Sequence, residues 1–127
     1  AFRHGRCLVP ADGWYEWTAE ADGKQPHLIE RAGPFAFAGI WADNEALGVR
    51  TAAIVTVAAA PSVSAIHNRM PAVLKEEVWP AWLDPDTPYD DAHDQLAHVE
   101  TDFSHQAVDR SINSAKARGP AEPINPR

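Results

Sequence analysis

Hydrophobic positions fall in short blocks separated by Gly, Pro and Asp, not in one long helical stripe. Blocks of this length bounded by turn residues predict strands. Cys7-Leu8-Val9 reads as a strand closed by Pro10, and Asp12-Gly13 as a turn. Residues 14–18 are rich in strand formers. A turn at 21–24 then returns the chain over 26–31 as a hairpin. Residues 35–41 set Phe35, Phe37, Gly39 and Trp41 on one face of a strand. Residues 51–58 read as a buried strand, 59–70 as a loop or short helical turn, and 71–74 as a short strand. The spacing of Val78, Trp79 and Trp82 predicts a helix over 75–83, shortened or kinked by Pro80. A second short helix is expected over 91–99, a late strand over 106–109, and an irregular tail beyond Gly119. Closely spaced strands with two small helices predict an α+β fold, mainly antiparallel sheet and barrel-like.

Composition narrows the function classes. A chain of 127 residues is enough for one domain, and it holds no apolar run of the ~18 residues that a membrane-crossing helix needs. The single cysteine, Cys7, cannot form a disulfide within the chain and points to a reducing, cytoplasmic setting. No secretory signal pattern is present. The net charge of −7 at first argues against a nucleic-acid partner. However, eight of the acidic residues lie in 84–109, a stretch without Lys or Arg, and the other 101 residues hold eleven basic and ten acidic side chains. The acidity is therefore one solvated stretch, and it does not exclude DNA.

Two segments carry candidate chemistry. In the first, Trp14 and Glu16 share one face of the strand and Tyr15 and Trp17 the other. A carboxyl among bulky aromatics has its pKa pushed upward, which suits a general acid or base; the alternative is a surface glutamate between core tryptophans. The second is His67-Asn68-Arg69-Met70-Pro71. It joins a proton-shuttling imidazole to an amide and a phosphate-binding guanidinium, or else is a loop whose polar groups satisfy local backbone. The other histidines lack metal-ligand spacing, so no metal and no cofactor are expected.

The blocks Arg6 to Trp17, Phe37 to Trp41, Ile54 to Ala58, Ile66 to Leu74 and Trp82 to Pro85, in this order, resemble the SRAP family, the SOS response-associated peptidases. The resemblance extends to about Asn113. It implies a sheet-rich fold with a groove for single-stranded DNA carrying an abasic site. It also implies covalent capture of the ring-opened sugar through a Schiff base to a thiazolidine, and autoproteolysis that exposes an N-terminal cysteine. Glu16 matches the family's acid–base glutamate and His67 its active-site histidine. Thr56 and Arg69 match positions lining the DNA groove, Trp14 is expected to wall the pocket, and Asn68 is expected to contact DNA. Two family blocks, Met-Cys-Gly-Arg-Phe and Asn-Ala-Arg-x-Glu, do not occur here, and Cys7 matches a later, non-nucleophilic cysteine. Residues 1–119 are thus expected to form the C-terminal portion of an SRAP domain and 120–127 an irregular tail. Such a portion is expected to be inactive alone and open to edge-strand pairing with a copy of itself. The alternative is a non-catalytic module binding single-stranded DNA or a protein partner.

Overall fold

A computed structural model describes residues 5–114, 119 and 122–124. The strands are β1 (Arg6–Ala11), β2 (Trp14–Glu20), β3 (Gly23–Glu30), β4 (Phe35–Asn44), β5 (Val49–Ile54), β6 (Thr56–Ala58), β7 (Arg69–Pro71) and β8 (Ser104–Ala107). Two short helices, α1 (Trp79–Leu83) and α2 (Tyr89–Asp94), lie between β7 and β8. All pairings are antiparallel, in sheets ordered β1-β4-β5, β2-β3-β8 and β6-β7. The expected α+β class with mainly antiparallel sheet holds, and none of the three sheets closes on itself. The chain divides into two compact units that interleave along the sequence.

The first unit comprises residues 1–11, 34–58 and 69–100. Its centre is Ala38, Ala72, Leu74 and Trp82, all essentially without solvent contact. Trp82 is fixed at both ends: its indole Nε1 donates to the Cys7 carbonyl at 2.8 Å, and its own carbonyl accepts from Arg6 Nε at 2.8 Å. Arg6 Nη2 also donates to the Asp84 carbonyl. This buried guanidinium therefore satisfies carbonyls at the end of α1 that no helical N–H reaches. Opposite Cys7 in the register stands Gly39, where a Cβ would come within 2.9 Å of the Cys7 sulfur.

The second unit comprises residues 12–33, 59–68 and 101–127. Its hairpin turns at Ala21-Asp22, with Glu20 paired to Gly23, whose φ of 128° suits only glycine. Gly13 is closely packed, and a Cβ there would meet the Ile29 carbonyl at 3.0 Å, so β3 would have to yield slightly to any larger residue. Ile29, Val63, Phe103 and Val108 are buried in this unit.

Several expectations shift. The run 51–58 is not one buried strand: it breaks at Val55, and every residue of β5 is exposed. β5 is the edge of its sheet, so an apolar sequence there finds no covering layer. The helix over 75–83 is a 3-10 turn (Glu76–Val78) followed by α1. Pro80 sits in the first turn of α1, where its missing N–H costs nothing. The second helix starts earlier than expected, at Tyr89, and ends in a 3-10 turn. The late strand is β8, starting at Ser104, and the strand over 71–74 becomes β7 plus isolated bridges at Val73 and Leu74. Within the tail 120–127, residues 120, 121 and 125–127 lie outside the described residues, and Pro123 bridges to Val108.

Candidate functional site

The predicted site residues fall into two groups, one in each unit. Trp14, Glu16, His67 and Asn68 belong to the second unit, Thr56 and Arg69 to the first.

In the second unit, strand alternation puts Trp14 and Glu16 on one face of β2, as the sequence predicts. Trp14 meets Phe103 edge-to-face, ring centroids 5.0 Å apart. Phe103 is tied to the 59–68 segment through Ser62, whose hydroxyl accepts from the Phe103 N–H and donates to the Thr101 carbonyl. That segment is a series of turns: the Ala60 carbonyl accepts from the Val63 and Ser64 N–H groups, and the Val63 carbonyl from Ile66 and His67. The Ala59 N–H closes its base on the Asn68 carbonyl at 3.0 Å. Turns therefore fix the backbone at His67 while its side chain stays exposed. Glu16 is half-buried. Burial pushes its carboxyl above the usual carboxylate range, and the positive charge of His67 pulls it part of the way back. The second unit thus brings Glu16 and His67 within electrostatic reach.

One neighbour was missed in the sequence. His27 stands directly opposite Glu16 in the β2–β3 register. Its Nε2 shares a hydrogen bond with Thr18 Oγ1 at 2.9 Å, and its ring meets His105 at 6.3 Å. Burial and the His105 charge lower the His27 pKa, against an opposing pull from Glu20. The two-residue turn at Ala21-Asp22 fixes this pairing, whereas the turn read over 21–24 would set Glu16 against Ile29, so the partner was missed through register.

In the first unit, Thr56 and Arg69 lie on the β6–β7 ladder. Arg69 Nη2 donates to the Thr56 carbonyl at 2.8 Å and meets Thr56 Oγ1 at 3.3 Å. Both residues border a cavity of about 430 Å3 that His93, Asp94 and Leu96 also line. Nothing in the sequence patterning signalled those last three.

Cys7 lies on β1, partly buried, and burial raises its thiol pKa. A thiol so placed is a poor nucleophile. Among the described residues, no three of His, Cys, Asp and Glu converge as a metal site, and no helix is long and apolar enough to cross a membrane.

The sequence model of the family described as "SOS response associated peptidase (SRAP)" matches residues 1–115. The chain is 36% identical to the abasic site processing protein YedK of Escherichia coli, over 98% of this chain and 59% of that protein. It is 32% identical to the abasic site processing protein YoqW of Bacillus subtilis, over 91% of this chain and 55% of that protein. It is also 36% identical to the abasic site processing protein HMCES of Gallus gallus, over 62% of this chain and 31% of that protein. Among solved structures it resembles a phage-related protein of Bordetella bronchiseptica: TM-score 0.69, 39% identity, 82% of this chain and 53% of that one. A Bacteroides thetaiotaomicron protein shares the fold, with TM-score 0.71 at 23% identity over 90% of this chain and 54% of that one. The chain spans about half the length of the bacterial relatives it matches.

Proposed function

Because the chain belongs to the SOS response-associated peptidase (SRAP) family, we propose that it processes abasic sites in single-stranded DNA, with Glu16 and His67 as its proton-transfer pair. The observation that carries this reading is the half-buried Glu16 carboxyl, whose pKa burial raises, beside the His67 charge. A raised pKa makes a carboxyl a better proton carrier than an exposed one. Attack of an amine on the open-chain sugar aldehyde gives a carbinolamine, and loss of water from it needs an acid. In the family chemistry a thiol then closes the Schiff base to a thiazolidine, with a proton returned to nitrogen. Glu16 and His67 serve these transfers. Arg69, anchored on Thr56, holds a backbone phosphate. Asn68 donates to the strand, and Trp14 walls the sugar pocket. Cys7 is not the nucleophile. The N-terminal autoproteolysis of the family needs the Met-Cys-Gly-Arg-Phe block, which does not occur here, and is no part of the proposal for this chain; a working place in the reducing cytoplasm is.

Two measurements test it. The chain should bind a single-stranded oligonucleotide with an abasic site more tightly than an intact one by fluorescence anisotropy; equal affinity counts against lesion recognition. With free cysteine supplying both amine and thiol, the chain should speed thiazolidine formation at the abasic aldehyde, read by mass spectrometry. Glu16→Gln and His67→Ala should each remove that acceleration. Binding without acceleration favours the second reading, a non-catalytic DNA-binding module. An SDS-stable adduct that Cys7→Ser abolishes would overturn the assignment of Cys7. The exposed β5 edge, with Val49 and Ile54 in solvent, also supports self-pairing of this chain. Sedimentation that stays monomeric up to high concentration would remove that part.

A further inference from the structure

His67 acts on Glu16 from a segment that is neither helix nor strand, so no sheet ladder holds that segment against β2. The bonds within 59–68 stiffen it but tie it only to itself. The Ala60 carbonyl takes the Val63 and Ser64 N–H groups, and the Val63 carbonyl takes those of Ile66 and His67. The Ala59 N–H closes the base on the Asn68 carbonyl in the same way. Val63 is fully buried and plugs the segment into the unit, but apolar burial is non-directional and leaves the orientation open.

Ser62 supplies the direction. Its hydroxyl donates to the Thr101 carbonyl at 2.6 Å and accepts from the Phe103 N–H at 3.3 Å. One hydroxyl does both at once, since it carries a donor and acceptor lone pairs. The stretch it grips leads into β8 and carries the Phe103 ring. That ring packs edge-to-face on Trp14, which shares its face of β2 with Glu16. From Glu16 the joints thus run through Trp14 and Phe103 to the Ser62 hydroxyl. Ser62 directly precedes Val63, whose carbonyl holds the His67 N–H. Every joint lies within the second unit. Ser62 is half-buried, so water still competes for its bonds and they add only modestly to stability. Their effect is on where the segment sits. Ser64 provides the contrast: its hydroxyl donates to the Pro61 carbonyl at 3.2 Å, inside the segment, and grips nothing beyond it.

We propose that Ser62 is a positioning residue for the proton-transfer pair: by clamping the His67 segment to the stretch that carries Phe103, it sets the distance of His67 from Glu16. The proposal rests on the reading of Glu16 and His67 as a pair and adds the residue that fixes their geometry. The test follows the Glu16 carboxyl by 13C NMR in the whole chain. Ser62→Ala frees the segment and weakens the pull of His67, so Glu16 should titrate at higher pH, toward its value in His67→Ala. Ser62→Thr keeps the hydroxyl and should titrate like the unmodified chain, as should Ser64→Ala. In a His67→Ala background, Ser62→Ala should move Glu16 no further, because the charge it positions is gone; a general loosening around β2 would move it there too. Thiazolidine formation on free cysteine should fall about tenfold in Ser62→Ala and return in Ser62→Thr. A second measurement needs no variant. The His67 and Phe103 amides should show similar protection from deuterium exchange, because the clamp opens both together. The role of Ser62 is overturned by a Glu16 titration that Ser62→Ala leaves in place, an equal shift from Ser64→Ala, or no rescue by threonine. It is overturned as well by a further shift in the His67→Ala background, or by a His67 amide far less protected than that of Phe103. Each of these leaves the pair itself intact. If His67→Ala does not move the Glu16 titration, the pairing falls instead, and the role of Ser62 with it.

Discussion

The two groups of site residues are held by different physics. Arg69 is fixed by direct hydrogen bonds to Thr56 across a short ladder, and its side chain remains exposed. Glu16 is set by strand alternation, partly desolvated, and coupled to His67 through charge. The first arrangement suits an anchor, since its guanidinium is oriented by two contacts to one residue. The second suits proton transfer, since small changes around the carboxyl move its proton affinity. Holding by contact and tuning by environment thus divide between the two units, and each should respond to its own class of perturbation.

The largest test strikes the unit that carries the anchor. Trp82 is fully buried; its indole holds the Cys7 carbonyl and its own carbonyl accepts from the Arg6 side chain. Trp82→Ala should cost about 3–5 kcal/mol in urea unfolding, from lost burial, a cavity and an orphaned Cys7 carbonyl. A loss under about 1 kcal/mol would mean that this core does not hold the β6–β7 ladder. Next comes the anchor itself. Arg69→Ala should weaken binding of single-stranded DNA about tenfold or more. It should also lower the salt dependence of binding by about one phosphate contact. Arg69→Lys should restore charge but not the forked geometry, and so recover only part of the loss. Full recovery by lysine would show that charge, and not the orientation set by Thr56, does the anchoring.

The tuned group is tested by titration. His67→Ala removes the charge that pulls the Glu16 pKa down, so Glu16 should titrate at higher pH than in the unmodified chain, followed by carboxyl 13C NMR. A Glu16 pKa that stays put would break the coupling on which the pairing rests, whatever happens to activity.

Legibility in the sequence follows the same division. The alternation of Trp14, Tyr15, Glu16 and Trp17 set the faces of β2 correctly, because period-2 patterning is local. The hairpin was readable from Asp22 and Gly23 and the turn region after Pro61 from that proline for the same reason, although Arg69 and Met70, read as loop, belong to β7. The burial of 51–58 was not, because an apolar run such as residues 52–55 carries no information about whether a layer lies against it. Pro80 was read as shortening or kinking a helix over 75–83; it lies in the first turn of an α1 that begins only at Trp79, so the shortening is what occurs. The roles proposed for Glu16, His67 and Arg69 came from local chemistry and family resemblance together, and that of Thr56 from resemblance alone. Their geometric partners did not: Asp94 and His93 reach the Arg69 cavity only through the packing of α2, which no local pattern encodes. The fold class was therefore legible from short-range pattern, while the surroundings that tune each site residue were long-range and had to be seen.

The smallest expected effect probes the tuned carboxyl through stability. Burial raises the Glu16 pKa in the folded chain above its unfolded value. Below the unfolded value both states are protonated and the group contributes nothing. As pH rises from the unfolded toward the folded value, the unfolded chain loses its proton first, so the folded state binds more protons and stability falls. Above the folded value the full cost is present. Glu16→Gln keeps the shape and removes the ionisation, so it should raise Tm at about pH 7 by on the order of 1–2 °C and leave Tm unchanged at about pH 3. Thermal scans at the two pH values separate this from a packing effect, which would shift Tm equally at both. A variant less stable at the higher pH would show that the ionised Glu16 gains more from its surroundings than burial costs it. Glu16 would then be a held contact like Arg69, and the contrast between the two units would collapse.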